Sequence, residues 1–172
     1  ALAARHACLN LEGGSRLRDY TVVGGLVGKY GARWGVTLMS LTEVPLRRDV
    51  EAALGAGLKP YGYAVRCPQG FDKGLGAAIV FPLTCTLSNF RTLARGRVVA
   101  GDVDLPSSQQ ATRVTLGAAY CPSGGTNPGK SFSSAFRAHE EDVAEAVLII
   151  ADDCKAAGRP FLLGTDANVI VS

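Results

Sequence analysis

The sequence predicts a single α/β domain over residues 1–172, and three observations lead to this prediction. Of the 172 residues, 47% are hydrophobic and 21 are glycine, which indicates one compact, turn-rich domain with a full core. Apolar runs typical of strands fill the middle of the chain. The clearest helical pattern follows them over residues 131–157, where apolar residues recur every three to four positions.

Turn and capping residues divide the chain into elements. Ser15 is predicted to cap the first helix, whose second half is weakened by Gly24 and Gly25. Trp34 begins an apolar run and is predicted to be a packing residue of a strand. The predicted order is strand 7–10, helix 15–29, strand 34–43, helix 47–54, strands 61–66, 76–81, 97–105 and 112–120, helix 131–157, and a strand from 161.

Polar side chains end several of these strands. Asn10, Glu43 and Tyr120 each follow an apolar run, and Asp166 and Asn168 follow the last one. Because side chains alternate along a strand, Asp166 and Asn168 point the same way. Oxygen ligands of this kind suit one Mg²⁺ ion beside a phosphate group. Asp166 would then orient or deprotonate the attacking water, and the amides would hold phosphate oxygens.

These residues lie in motifs that resemble those of the endonuclease/exonuclease/phosphatase superfamily. The Thr42-Glu43 form of the second motif and the compact loops look most like the endonuclease domain of non-LTR retrotransposons. The resemblance covers essentially the whole chain. The motifs are Leu9-Asn10-Leu11, Leu41-Thr42-Glu43, the glycine-led strand Gly74–Val80, Ala119-Tyr120-Cys121-Pro122 and Gly164-Thr165-Asp166-Ala167-Asn168.

The resemblance implies a DNase I-like fold, a four-layer α/β sandwich of two packed mixed sheets with flanking helices. It implies that Asn10 and Glu43 hold the divalent metal, Mg²⁺ or Mn²⁺, and that Tyr120 lies near the scissile phosphate. Asp166 and Asn168 would align and activate the water. The implied reaction is metal-assisted hydrolysis of a phosphodiester, with DNA as the substrate.

The resemblance also predicts a domain that is incomplete at its C-terminus. Members of the superfamily carry further strands and a late Asp-His pair after the fourth motif, whereas this sequence stops at Ser172. The two histidines, His6 and His139, do not stand at that position, and His139 is predicted to be a core or half-buried residue of the last helix. We therefore expect a domain that lacks its last strands and has an open sheet edge.

Two classes of function remain open at this stage. The first is a DNA endonuclease of retrotransposon type. The second is a catalytically inactive relative that serves as a structural or accessory subunit, with protein partners covering the open edge. A phosphatase acting on inositol lipids or another small phosphoester is a third reading, because the motifs are shared across the superfamily.

Charge, hydropathy and cysteine content constrain the function less than the motifs do. The net charge of +3 fits a polyanionic partner without requiring one, and the longest apolar stretch, 143–151, is too short to cross a bilayer. Five scattered cysteines predict reduced core residues in an intracellular reducing compartment, which is the nucleus for a retrotransposon endonuclease. Because the sequence begins at Ala1, a cleaved organellar targeting peptide is compatible with it.

Overall fold

The structure is a computed structural model that describes residues 4–13, 18–106, 112–121 and 134–166. Within these ranges, no helix is both long enough and apolar enough to cross a membrane. The helices are α1 Tyr20–Trp34, α2 Arg48–Leu58 and α3 Ser134–Ala156. The strands are β1 His6–Asn10, β2 Leu38–Pro45, β3 Tyr63–Arg66, β4 Leu75–Pro82, β5 Thr86–Leu93, β6 Val98–Leu105, β7 Thr112–Tyr120 and β8 Phe161–Asp166.

The strands form two mixed sheets of four strands each. Sheet 1 has the order β1-β2-β4-β3, with β1 parallel to β2 and the other pairs antiparallel. Sheet 2 has the order β5-β6-β7-β8, with β7 parallel to β8 and the other pairs antiparallel. In the described part of the chain, β1 and β8 are therefore outer strands, and they contact each other across the two sheets.

Helices cover both outer faces, so the four-layer sandwich is confirmed. Helices α1 and α2 pack on sheet 1, where Val50 and Leu54 are fully buried against Met39 and Val80. Helix α3 packs on sheet 2 through its apolar side, which includes Ile150. The layer between the sheets is apolar, and its buried residues are Leu38, Ala77, Ile79, Phe81, Val99, Val103, Val114, Leu116, Ala118 and Tyr120.

One buried polar chain crosses the layer between the sheets. Ser40 of β2 is fully buried, and its hydroxyl donates to the backbone carbonyl of Gly117 in β7 at 2.7 Å. The Nε2 atom of His6 lies 2.8 Å from Ser40 Oγ. The Ser40 hydroxyl proton is donated to the Gly117 carbonyl, so Ser40 Oγ accepts a hydrogen bond from His6. His6 therefore carries a proton on Nε2.

The first helix differs from its sequence prediction at both ends. It begins after Asp19, whose carboxylate accepts the backbone N–H of Thr21 at 2.9 Å, whereas the predicted cap Ser15 lies outside the described residues. It ends at Gly35, whose φ of 62° is the left-handed conformation that suits a helix C-terminus. Trp34 therefore belongs to the helix and is 56% exposed, so its prediction as a packing residue of a strand is wrong.

Further differences concern one missed strand and the cysteines. Strand β5 was not predicted, and helix α2 continues past Gly55 to Leu58. The start of the last predicted helix, residues 131–133, lies outside the described residues. Three cysteines are buried as predicted, but Cys85 is half-buried and Cys8 is exposed.

Candidate active site

The predicted site residues of the described chain meet at one end of the sandwich. Asn10 ends β1, Glu43 lies near the end of its parallel neighbour β2, and Tyr120 and Asp166 end the parallel strands β7 and β8. Carboxyl ends of parallel neighbours share one edge of a sheet. Tyr120 and Asp166 are direct partners in the register of sheet 2. Asn168 lies outside the described residues.

A hydrogen bond between Asn10 and Asp166 joins the two sheets at this end. The Nδ2 atom of Asn10 donates to Oδ2 of Asp166 at 2.6 Å. The orientation of the amide is fixed from its other side, because Asn10 Oδ1 accepts the backbone N–H of Glu12 at 2.7 Å. The two residues are separated by 156 positions in the chain, so only the packing of the sheets brings them together. The amide leaves the second carboxylate oxygen of Asp166 available for water or a cation.

Glu43 owes its position to a bulge in β2. The register with β4 shifts between Thr42 and Val44, so Glu43 is the extra residue. Its φ of 53° is the left-handed conformation, which is unfavourable for a residue other than glycine. Backbone strain of this kind costs about 1–3 kcal/mol and clusters at functional sites. The Glu43 carboxylate forms no hydrogen bond or ion pair with the described residues.

The electrostatics of Tyr120 show that these groups act on one another. Burial raises the pKa of the Tyr120 phenol, and the negative charges of Glu43 and Asp166 raise it further. The guanidinium of Arg97 acts in the opposite direction on the same pKa. The phenol therefore stays protonated at neutral pH, and it is a hydrogen-bond donor beside two carboxylates.

Arg97 and His139 complete this end of the sandwich, and sequence reasoning did not assign either of them to the site. The Arg97 carbonyl accepts the backbone N–H of Tyr120 at 2.8 Å, and Arg97 Nη1 lies 2.9 Å from His139 Nδ1. Arginine only donates, so His139 accepts on Nδ1 and carries its proton on Nε2. His139 is half-buried, as predicted. In the sequence, Arg97 stands just before β6. This position indicates a place in the candidate site only if β6 is known to pair with β7, the strand of Tyr120.

The donor set fits one hard divalent cation. Glu43 and Asp166 offer carboxylate oxygens, and Asn10 offers an amide oxygen with a second lone pair. Among the described residues, no three His, Cys, Asp or Glu side chains are grouped closely enough to hold a metal by themselves. Mg²⁺ is typically held by only one or two carboxylates and keeps several waters. Glu43 and Asn10 are therefore the residues that would hold such an ion, with Asp166 beside it.

Solved structures with the same architecture are similar to this chain at low sequence identity. TDP2 from Caenorhabditis elegans has a TM-score of 0.64 and 14% identity, covering 95% of this chain and 47% of that one. The mannosyl-6-phosphatase Bt3783 from Bacteroides thetaiotaomicron has a TM-score of 0.66 and 11% identity, covering 97% and 66%. The 3′ phosphatase NExo from Neisseria, bound to a product DNA hairpin, has a TM-score of 0.63 and 19% identity, covering 97% and 58%.

The sequence itself matches no family model and no curated protein. The architecture places the chain in the DNase I-like class of α/β sandwiches. More particularly, its fold is the one found in the solved structures of TDP2, the mannosyl-6-phosphatase and NExo, as the resemblance of the motifs implied. The chain spans about half to two thirds of the length of the three structures above.

Proposed function

We propose that this chain belongs to a metal-dependent phosphodiester hydrolase that cuts DNA, of the retrotransposon endonuclease type. The observation that carries the proposal is the meeting of Asn10, Glu43, Tyr120 and Asp166 at one end of the sandwich, with the 2.6 Å hydrogen bond from Asn10 to Asp166 between the sheets. Solved structures of TDP2 from D. rerio and of NExo are complexes with DNA products, which supports a nucleic-acid substrate. The nucleus is the compartment that this function requires.

Each residue has a role that its environment supports. Glu43 has no partner among the described side chains, and it would hold Mg²⁺ or Mn²⁺ together with Asn10. When bound, the cation polarises a phosphoryl oxygen. Asp166 accepts a proton from the attacking water, and Asn10 Nδ2 fixes the direction of the Asp166 carboxylate. The protonated Tyr120 donates a hydrogen bond to a phosphate oxygen. Asn168 would help to align the water, as the motif implies.

Cleavage of supercoiled plasmid tests the proposal. We expect nicking that requires Mg²⁺ or Mn²⁺ and stops with EDTA, and we expect Glu43→Gln and Asp166→Asn each to lower the rate by about 10²-fold or more. Glu141→Gln changes an exposed carboxylate of α3 and serves as the matched control, with no expected loss. Calorimetric titration with Mn²⁺ gives a readout besides activity, and Glu43→Gln should weaken that binding.

The outcome decides between the nuclease and its alternatives. The assay is run on the 172-residue chain and on the protein with its native C-terminus. If both leave the plasmid supercoiled but bind Mn²⁺ and hydrolyse a small phosphoester, the substrate assignment is wrong and a phosphatase is supported. If neither binds Mn²⁺ nor hydrolyses either substrate, the enzymatic proposal is withdrawn.

One observation favours the second candidate, an accessory subunit without activity. Strands β1 and β8 are the outer strands of their sheets in the described part of the chain, and they lie on the same side of the sandwich. Outer strands carry unpaired backbone groups that another chain can pair with. Under this alternative, protein partners cover that side. A stable stoichiometric complex in which β1 amides gain protection from hydrogen exchange would support it.

A further inference from the structure

The solvent-facing side of α1 carries a row of large apolar side chains. Val22, Leu26, Tyr30 and Trp34 are 58%, 64%, 40% and 56% exposed. They recur every four residues over about 18 Å of helix, so they form one continuous ridge, which we call the α1 ridge. The opposite side of the helix is buried against α2 and sheet 1. Contiguous exposed apolar surface of this kind marks interaction sites in soluble domains.

The charged residues within α1 are both positive, and the N-cap Asp19 is the acid that precedes them. Lys29 and Arg33 are exposed beside the α1 ridge, and α1 contains no acidic residue. The Arg33 guanidinium lies 5.5 Å from the centre of the Trp34 ring. Neither cation forms an ion pair with another of the described residues. The ridge therefore presents apolar contact area bordered by unpaired positive charge.

The aromatic end of the α1 ridge lies away from the candidate active site. Arg5, which directly precedes β1, donates from Nη1 to the Trp34 carbonyl at 3.1 Å, so the aromatic end of the ridge lies near the start of β1. Asn10 is at the other end of that strand, about 16 Å away at the usual rise per residue. Arg33 and Trp34 therefore lie at the end of α1 that is remote from Asn10. Val22 lies toward the other end, where Arg18 donates to the Leu11 carbonyl at 2.6 Å.

We propose that the α1 ridge docks an acidic amphipathic helix of a partner protein. Side chains spaced four residues apart on a helix form a ridge, and such a ridge packs into the groove between side chains of a second helix. Glutamate or aspartate flanking the partner's apolar face would pair with Lys29 and Arg33, and such complementarity sets orientation and the rate of association.

Other occupants fit the α1 ridge less well. Binding to an anionic membrane usually takes clusters of about four to eight cations, and this surface has two. Single-stranded nucleic acid stacks on aromatic rings along a basic groove, whereas Val22 and Leu26 offer no ring to stack on. A symmetric contact between two copies would bring the same two cations against each other.

Fluorescence of Trp34 reports directly on this surface, because it is the only tryptophan of the chain. The probe is a synthetic helical peptide of about five turns, with leucines along one face and glutamates on both flanks. We expect a blue shift of the emission on titration and an affinity that falls as salt is raised. A peptide of the same composition with the leucines scattered around the helix, and one with lysine in place of glutamate, should each bind at least about ten-fold more weakly.

Variants of the 172-residue chain locate the contact. Leu26→Gln should weaken binding of the acidic peptide by about ten-fold or more. The double change Lys29→Gln and Arg33→Gln should weaken it as much and remove most of its salt dependence. Leu148→Gln is the matched control, because Leu148 is 62% exposed on α3, and it should bind like the unchanged chain. Circular dichroism confirms that each variant is folded.

Several outcomes would overturn the proposal. One is the absence of a blue shift with the acidic peptide, and another is equal affinity for the scattered or the basic peptide. A third is a larger response to single-stranded DNA or to phosphatidylserine vesicles. A blue shift on concentrating the chain alone would assign the surface to a second copy instead.

Discussion

Glu43 shows how a single residue can be both unfavourable for the fold and central to the site. Its left-handed backbone conformation breaks the ladder between β2 and β4, and glycine would relieve that strain. The bulge turns the carboxylate toward the end of the sandwich, where its charge reaches Tyr120. The Glu43 backbone is strained, and its carboxylate forms no structural hydrogen bond with the described residues. A ligand-binding role would explain why this strain is retained.

The first prediction tests this electrostatic contact without assuming any activity. Glu43→Gln removes a negative charge that raises the pKa of Tyr120, so that pKa should fall while staying above its ordinary value because the phenol is still buried. The measurement is a pH titration of ¹³C-labelled tyrosine by NMR. Tyr120→Phe identifies the signal among the five tyrosines.

The exposed acid of α3 again provides the control for this titration. Glu141→Gln removes the same charge from a residue that does not act on Tyr120, so the phenol should titrate as in the unchanged chain. An identical Tyr120 pKa before and after Glu43→Gln would show that the bulge does not direct the carboxylate to the site.

At the same scale, the sequence could predict that Asn10, Glu43, Tyr120 and Asp166 lie together, because each ends a predicted strand and stands in a recognisable motif. It could not identify Arg97, because its contacts with Tyr120 and His139 arise from strand pairing and helix docking. It also could not show the strained backbone of Glu43, because a glutamate in a strand pattern normally adopts extended angles.

At the scale of elements, α1 and α2 pack unusually closely because glycines line their contact. A Cβ atom added to Gly57 would meet the backbone of α1 at Thr21 and Gly25. Gly24 meets the backbone of Leu54 in the same way. Gly24, one of the two glycines expected to weaken the first helix, is therefore what lets α2 approach, and tertiary packing outweighs its low helix propensity.

The second prediction compares two glycines of α2. Gly57→Ala should destabilise the chain by about 1–3 kcal/mol, because the new methyl group meets backbone that cannot move aside. Gly55→Ala should be neutral or stabilising by up to about 1 kcal/mol, since its nearest neighbour, Val65 Cγ1, is 3.8 Å from the added Cβ. Urea unfolding followed by circular dichroism measures both. Equal effects of the two changes would contradict the close helix contact.

A third prediction concerns the connection from α3 to β8. Arg159 donates from Nη1 to Asp102 Oδ2 at 2.7 Å, and Asn89 and Thr115 also donate to this carboxylate, which is 4% exposed. Burial alone would raise the pKa of Asp102, but these donors outweigh it and hold the pKa below its usual value. Arg159→Ala leaves a buried charge with fewer donors and should cost about 1–3 kcal/mol in unfolding free energy.

Arg113 of β7 is the comparison for Arg159. Arg113 pairs with Asp104 at 2.8 Å, but both side chains are solvent-accessible. Arg113→Ala should therefore leave the urea midpoint nearly unchanged. A larger loss for Arg113→Ala than for Arg159→Ala would be inconsistent with a structural role of the buried pair.

Strand β5 was not predicted because its apolar residues do not alternate. In β5 the apolar residues Leu87, Phe90 and Leu93 recur every three positions, because a bulge with Asn89 at a φ of 50° interrupts the alternation. Strand prediction depends on a period of two, so β5 was missed. The regular strands β6 and β7, and the long helix α3, followed their periodicity closely.

At the scale of the whole molecule, the fold depends on two sheets meeting through a dry layer. The polar chain from His6 through Ser40 to Gly117 is the part of that layer that responds to pH. Burial lowers the pKa of His6, since the neutral imidazole is favoured in the folded chain. His6 begins β1, the strand that contacts β8 and carries Asn10 at its other end, so the protonation of His6 is linked to how the two sheets meet.

The fourth prediction follows from that linkage. The unfolded chain binds a proton on His6 near pH 6.5, whereas the folded chain binds it only at lower pH. Below about pH 6.5 the unfolded state therefore holds more protons, and the stability of the fold falls as the pH is lowered through the folded pKa. Urea midpoints at pH 7.5 and pH 5.5 should differ in this direction, and His6→Gln should make the difference smaller. An unchanged pH dependence in His6→Gln would mean that the imidazole is not buried between the sheets, and the placement of β1 against β8 would then have to be revised.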